Sequence, residues 1–490
     1  MRNLTDRNPT IVSSKSPQRL TVFAFLWACQ ALVHQDFYSD WQLQHLPAGW
    51  ILSAFVLATL IRPSSIWIFA GMLVSSVVYN VLKWPFVVNH ILVESLIDLT
   101  ILAAIASTQI SATGNRLRVS DESRESIYDR FAPVVMVMLI LMYYFAFVAK
   151  LNWDFINPEV SCVVVMSGDL SRRFPFLPDA DSTAWMMIAA TLVVEAAIPL
   201  LLTFRRTRYV GVLVGAPFHI LLGLVGHRTF AALAFALYGL ICMSELAPLV
   251  ALVHRRVTGR FSVEVRRAIY HTSSSVLVVC FTLLVAAELT GQLRLGIGPL
   301  KIYRIPWLAW ILWSLVLGTL FAICAWRRYR HNHVSRRQSA DGRPGLLWAP
   351  VLLVVLNGMS QYLGLKTETC FTMYSNLRTE GGVNNHMFVP AWKLSSYQED
   401  VVQIVSSSIP ELQAFAHGSD LLTSFELRRA LSATAGDFEI VFRRNGEVHQ
   451  LYRRGDKTPN SELLRPHPLW RAKLLRFRPV STAKCAPCQH

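Results

Sequence analysis

Eleven apolar stretches, each near the length of a membrane-crossing helix, follow one another through the first 365 residues. They run over Leu20–His34, Leu46–Ile61, Ile66–Leu82, His90–Ile110, Phe131–Lys150, Ala184–Phe204, Tyr209–Leu224, Thr229–Leu252, Ile269–Leu289, Ile305–Trp326 and Leu346–Leu365. A bilayer core is filled by roughly 20 helical residues. Backbone polar groups find no water there, so a spanning segment must satisfy them internally, and runs of this length do so as α-helices. The expected fold is therefore an all-α polytopic membrane protein of about 9–11 transmembrane helices. Composition agrees: 53% of residues are apolar and 16% charged, against about 25% charged in soluble domains. The first apolar run is followed by no small-residue cleavage site and reads as a helix rather than a signal peptide.

The formal charge of +16 could mark a nucleic-acid binder, but its distribution argues for a membrane. With residues 1–19 inside and every stretch crossing, the inside segments hold 23 Lys and Arg and the outside loops 7. That asymmetry follows the positive-inside rule. It places the N-terminal segment in the cytoplasm, residues 20–365 in the cell membrane as a multi-pass domain, and residues 366–490 outside. The lipid bilayer is thus the first partner, and nucleic acid is not expected.

Beyond about Lys366 the apolar blocks stop and Pro, Ser and charged residues return. Phe438–Phe442 and Glu447–Tyr452 flank Asn445-Gly446, a strong hairpin signal. Ser419–Leu431 reads as a short helix capped by Ser419 or Asp420. The expectation is a small C-terminal α+β extracytoplasmic domain. Cys485-Ala486-Pro487-Cys488 would close a local disulfide on an oxidising side, and Cys162 and Cys370 share that side. One CxxC pair cannot supply a zinc site, so no metal is expected.

Ionisable residues inside spans cost about 2.5–3.5 kcal/mol each on insertion scales and are functional candidates by default. Asn89-His90 opens the fourth span, and His90, Glu94 and Asp98 repeat every four residues along one helix face. Lys150 closes the fifth span, with Tyr143 two turns earlier on the same face. The alternating topology sets His90 and Lys150 at one depth. A lysine partly desolvated beside aromatics can act as a general base; its alternative is a snorkelling interfacial anchor. Glu195 lies mid-span four residues before Pro199, as either a reactive group or a partner for the broken helix. His219 lies mid-span and His227 near an outer end, where interhelical hydrogen bonding is the common role. HExxH, GxSxG, P-loop and GxGxxG patterns are absent, which disfavours a zinc protease, a serine hydrolase or a nucleotide-driven pump.

Asn89-His90, then Tyr144-Phe145-Ala146 and Lys150-Leu151 before Asp154, resembles the vitamin K-dependent gamma-carboxylase family and, more closely, its bacterial relatives with an HTTM (horizontally transferred transmembrane) domain. Glu195 to Pro199, Phe218-His219 and Phe371–Arg378 resemble later segments of the same proteins in the same order, over roughly residues 15–380. The chain departs from the pattern after Phe218-His219, where Ile220-Leu221-Leu222-Gly223 carries no asparagine, and at Asp154, which precedes Phe155. Its tail is also much shorter than the lumenal domain with which the animal enzyme grips a propeptide.

The resemblance implies a membrane enzyme, of the carbon–carbon lyase or carboxylase type, that acts with a reduced vitamin K-type naphthoquinone (menaquinone or phylloquinone hydroquinone) and with O2 and CO2 as co-substrates. It implies Lys150 as catalytic base and Asn89, His90 and Tyr143 at the quinone, with Glu94, Asp98, Glu195 and His219 in support. Quinone oxidation or epoxidation is then expected, coupled or not to carboxylation of a glutamate side chain on a peptide or protein. The alternatives are a transporter using Glu94, Asp98 and Glu195 as a relay, and a non-catalytic assembly protein that works through its tail.

Overall fold

The computed structural model describes residues 19–37, 48–111, 120–174, 180–289, 304–330, 345–418, 420–455 and 461–488. The N-terminal segment 1–18, the basic stretches 112–119 and 331–344, and Ser419 lie outside them. The molecule is mostly helical, and the described part of each of the eleven apolar stretches is largely helical. In chain order these are α1 (Arg19–Phe37), α2 (Ala48–Ile61), α3 (Ile66–Lys83), α4 (Asn89–Ser111), α5 (Asp121–Ala149), α6 (Cys162–Arg173), α7 (Ala180–Thr203), α8 (Arg208–Leu224), α9 (Arg228–Ile241), α10 (Met243–Thr258), α11 (Val263–Leu289), α12 (Arg304–Arg330) and α13 (Ala349–Met359). By length and composition, five of the helices among the described residues can cross a membrane, or six if the bent pair α9–α10 is one span.

Three features depart from the expected layout. The stretch Thr229–Leu252 is not one helix: α9 and α10 meet at Cys242 with a bend of 91°. Every side chain of Ala231–Tyr238 is buried, whereas α10 buries only Met243, Leu246 and Ala247 and exposes His254, Arg255 and Arg256. A one-sided helix cannot continue straight through an apolar core, so it turns away at its first polar residues. The second departure is α6, amphipathic and unforeseen, inserted between two long helices. The third lies in the tail, where Asp420–Thr423 is a strand rather than the start of a helix.

The bundle core centres on Phe23 of α1, which stacks on Trp27 and packs with Phe69, Tyr128 and Phe131 from α3 and α5. Arg19 pairs with Glu125 (2.5 Å) and Asp129 (2.8 Å), so α1 and α5 run the same way. At the opposite end of α5 sit residues 366–400, a layer of turns tied to it by paired loops: Trp153 N donates to Asn385 O, and Met387 N to Leu151 O.

Residues 401–488 form a second core. A five-stranded sheet of order β4-β3-β1-β2-β5 is built from β1 (Val401–Ser407), β2 (Asp420–Thr423), β3 (Phe438–Arg444), β4 (Glu447–Arg453) and β5 (Val480–Ser481). Three short helices, α14 (Pro410–Ala416), α15 (Ser424–Ala433) and α16 (Leu469–Leu474), accompany it. The β3–β4 hairpin turns at Asn445-Gly446, both at positive φ (52° and 84°), as a two-residue hairpin loop requires. The helix expected from Ser419 starts instead at Ser424. Thr423 caps it by accepting from Glu426 N, the Thr-x-x-Glu arrangement that stabilises a helix start. Asp420 to Thr423 are taken up by pairing with β1 and β5, which buries Leu422 and Thr423.

The tail returns to the bundle at its very end. Ala486 N donates to Asp154 Oδ2 (2.9 Å), and Asn376 Nδ2 donates to Ala486 O (3.0 Å). This brings Cys488 against Cys162 at the start of α6, and those two form the disulfide. The local Cys485–Cys488 pairing is therefore not made, and Cys485 is a free thiol.

Candidate functional site

A cavity of about 110 Å³ opens where α4, α5, α6, α7, α8, the start of α9 and the 371–374 loop converge. Its position follows from how α5 ends. Lys150 is the C-cap of that helix, still in αR conformation, its N–H donating to Phe147 O. Asn152 then stops the chain: its amide donates to Ala149 O (2.8 Å) and Ser375 O (2.6 Å), and its carbonyl accepts from Phe155 N. His386 completes the cap by donating from Nε2 to Val148 O (2.9 Å). Burial lowers the His386 pKa, keeping the ring in the neutral form that also accepts from Phe388 N and Val389 N at Nδ1.

Held this way, Lys150 is 6% exposed and forms an ion pair with Glu195 Oε2 at 2.9 Å, with Glu195 itself 8% exposed. Glu195, read from the sequence as either a reactive group or a partner for the helix broken at Pro199, pairs directly with the lysine in the cavity wall. A snorkelling lysine would reach water, and this one does not.

Across from the pair lie Asn89 and His90, in the first turn of α4. Asn89 Oδ1 and both ring nitrogens of His90 are buried without a hydrogen-bond partner. Buried polar atoms are nearly always satisfied, so three orphans in one wall are a feature to explain. Tyr143 forms the floor. Its hydroxyl meets Tyr238 Oη at 2.7 Å and makes a very short contact with His219 Nε2. His219 is thus one layer below the cavity, fixing Tyr143 rather than lining the space. Gly215 makes this possible, since a Cβ there would lie 2.0 Å from Tyr238 Oη.

Glu94 and Asp98 are not in this cavity. The face they share with His90 turns onto α1, where Trp27 Nε1 donates to Asp98 Oδ1, Gln30 Nε2 donates to Glu94 Oε1 (both 2.8 Å), and His34 Nδ1 meets Glu94 Oε2 at 2.7 Å. His34 also donates from Nε2 to Thr229 O (2.9 Å). These contacts bind helices together. Glu94 and His34 also line a second space of about 70 Å³ between α1, α3 and α4.

The rest of the wall is apolar: Met142, Met166, Phe218, Leu222, Phe230, Phe371 and Met373. Phe230 packs its ring against His90, Tyr143 and His219 with centroids 5.7, 6.4 and 4.9 Å away. Residue-by-residue reading missed Thr191 and Phe230, assigned His227 only to interhelical hydrogen bonding, and met Tyr374 only within the Phe371–Arg378 segment. His227 Nδ1 meets Tyr374 Oη at 3.0 Å, and burial pushes the Tyr374 phenol up to about 12. The 371–374 segment carries a signal visible only in the backbone. Thr369, Phe371, Tyr374 and Asn376 all have positive φ (57°, 65°, 54° and 53°), a conformation costing roughly 1–2 kcal/mol per non-glycine residue. Such strain gathers where geometry serves a site. Among the described residues no cluster of His, Cys, Asp and Glu could hold a metal ion.

No family model, no curated protein and no solved structure matches this chain.

Proposed function

We propose that the chain is a multi-pass membrane enzyme, with 9–11 crossing helices and its tail outside the cell membrane, that uses a reduced naphthoquinone in the manner of the gamma-carboxylase family it resembles. The single observation that carries this reading is the convergence of a buried Lys150–Glu195 pair and the orphaned atoms of Asn89 and His90 on one largely apolar cavity.

The residues fit such a ligand. A flat fused ring suits a space walled by Phe218, Phe230 and Phe371, and a hydroquinone carries the oxygens that Asn89 Oδ1 and the His90 nitrogens lack as partners. When bound, a reduced naphthoquinone supplies the reducing equivalents with which oxygen chemistry generates a strong base. The chain's part begins with one proton shared by two groups. In a dry site an amine beside a carboxylic acid competes closely with an ammonium–carboxylate pair, because burying charges is expensive. In the amine form Lys150 Nζ accepts a proton from a ligand hydroxyl, and Glu195 lies 2.9 Å away to hold the lysine's own. His90 and Asn89 orient the ligand's oxygens, and Tyr143, locked by Tyr238 and His219, bounds the floor. The hydrophobic wall keeps water from the reactive centre. A glutamyl side chain is the acceptor the resemblance implies.

The test is turnover by detergent-purified protein given reduced menaquinone or vitamin K with oxygen and bicarbonate. Oxidised or epoxidised quinone, read by mass spectrometry, is expected from wild type and not from an equally folded Lys150→Ala variant. Labelled carbon dioxide in a glutamate-containing peptide then decides carboxylation. No product from folded wild type, or equal product from Lys150→Ala, overturns the reading.

A further inference from the structure

The sheet-bearing tail carries a foot whose surface is wrong for water. In the six-residue α16, Leu469 is 76% exposed, Trp470 58% and Leu474 54%. Three large apolar side chains on one turn and a half are each more than half exposed, and an apolar patch on an otherwise charged domain marks a contact surface. The position of the patch names the contact. Lys473 Nζ donates to Val81 O (3.1 Å) and Leu82 O (3.2 Å), the last carbonyls of α3. Helix α3 is among those long and apolar enough to cross a membrane, and Val74, Val78, Val81 and Leu82 on it are about half exposed. Beyond its end Phe86 is 62% exposed, with the guanidinium of Arg476 over its ring at 4.9 Å and that of Arg429 at 5.8 Å. Arg471 covers Trp470 in the same way at 5.1 Å. The foot thus continues the exposed apolar face of α3 upward and ends it in tryptophan and arginine, the amphipathic pairing found at the boundary between acyl chains and phosphates.

We infer that α16 rests in the outer leaflet of the membrane, with Leu469, Trp470 and Leu474 among the acyl chains and Arg471 and Arg476 at the phospholipid phosphates. The inference rests on the membrane reading above and is independent of quinone chemistry. Lipid is favoured over a protein partner because the patch is continuous with a helix of spanning length and is bordered by cations, with Arg471 over Trp470 and Arg476 over Phe86. Its consequence is mechanical: Lys473 holds the end of α3, and Arg429 and Arg476 hold Phe86 in the 84–88 segment that leads directly into Asn89 and His90, so the foot anchors the tail and the ligand-facing turn of α4 to one surface.

The experiment places a photoreactive diazirine amino acid, one position at a time, at Trp470, Leu474, Val448 and Leu200 of the full chain in nanodiscs of phosphatidylcholine and phosphatidylglycerol. Val448 is 60% exposed on β4, the sheet edge opposite β5, and Leu200 is 61% exposed on α7, another helix of spanning length. Lipid adducts are expected at 470, 474 and 200 and not at 448. Adducts at 200 without adducts at 470 and 474 overturn the inference while leaving the membrane reading intact. Equal labelling at 448 overturns it as well, as do protein–protein adducts at 470 in place of lipid ones. Absence of adducts at 200 overturns the membrane reading and the foot with it.

Discussion

Helix α4 carries two groups of buried polar residues less than three turns apart, and they are finished differently. Toward α1, Trp27 and Gln30 donate hydrogen bonds of 2.8 Å to Asp98 and Glu94, and His34 pairs with Glu94 at 2.7 Å. Toward the cavity, Asn89 and His90 present acceptors and ring nitrogens to nothing. Both groups bear the cost of removing polar atoms from water, about 1–3 kcal/mol per unsatisfied group. The first recovers much of it within the chain, although Gln30 Oε1 and Asp98 Oδ2 are also left without a hydrogen-bond partner. A largely paired network serves helix association, and a wholly unpaired one is what a ligand completes. The contrast separates scaffold from site on a single helix face.

The comparison breaks most visibly at the cavity's own charged pair. Truncating one member of a buried ion pair costs about 3–5 kcal/mol, whereas replacing both with apolar groups is often neutral. Glu195→Leu should therefore lower the unfolding temperature sharply in detergent, and Lys150→Met with Glu195→Leu should recover most of the loss. An undiminished melting temperature for the single variant would show that the pair is already solvated. The next effect sharpens the contrast along α4. Glu94→Leu orphans Gln30 and His34 at about 1–3 kcal/mol each, while His90→Phe, which removes orphans, should leave the melting temperature unchanged or higher and abolish ligand-induced stabilisation. Equal destabilisation by both would erase the distinction.

A comparable loss is expected at the floor. Gly215→Ala inserts a methyl 2.0 Å from Tyr238 Oη, and overpacking of this kind costs about 1–3 kcal/mol. It should also displace Tyr143, so ligand affinity falls with stability; Gly215→Ala with Tyr238→Phe, which removes the clashing hydroxyl, should recover part of both. The smallest effect lies in the tail. His467 stacks on Phe425 with ring centroids 3.7 Å apart and donates to Phe425 O. Burial first, then neighbouring Arg428, Arg429 and Arg471, lower its pKa below the usual 6.5. A folded value below the unfolded one means that the unfolded chain binds the extra proton. This contribution to stability is complete above about pH 6.5 and is lost as pH falls from there through the lowered folded value. The gap in melting temperature between wild type and His467→Gln should close on acidification; a gap that widens would reverse the sign.

Hydropathy located every apolar helix, because a run of apolar residues that long has few other ways to satisfy its backbone. The Asn445-Gly446 turn was equally plain, since few residues tolerate positive φ at two successive positions. Spacing of four also put His90, Glu94 and Asp98 on one face, but a face is not a partner. Whether α1 or an empty space would meet each residue depended on how helices separated by tens of residues cross, and no local rule contains that. The same holds for the bend at Cys242, where a one-sided helix met a core already filled, and for Ser419–Leu431, where pairing with β1 and β5 overrode helix capping.

By itself the sequence determined the apolar helices, the hairpin and most of the ionisable residues at the cavity and along α4, because period, length and turn chemistry are local quantities. Tertiary structure alone decided that Cys488 pairs with Cys162, that Lys150 meets Glu195, and that Tyr374, 224 residues after Lys150 in the chain, lines the same cavity. Those pairings join groups far apart in the chain, and only packing chooses which distant groups share a space from which water is excluded.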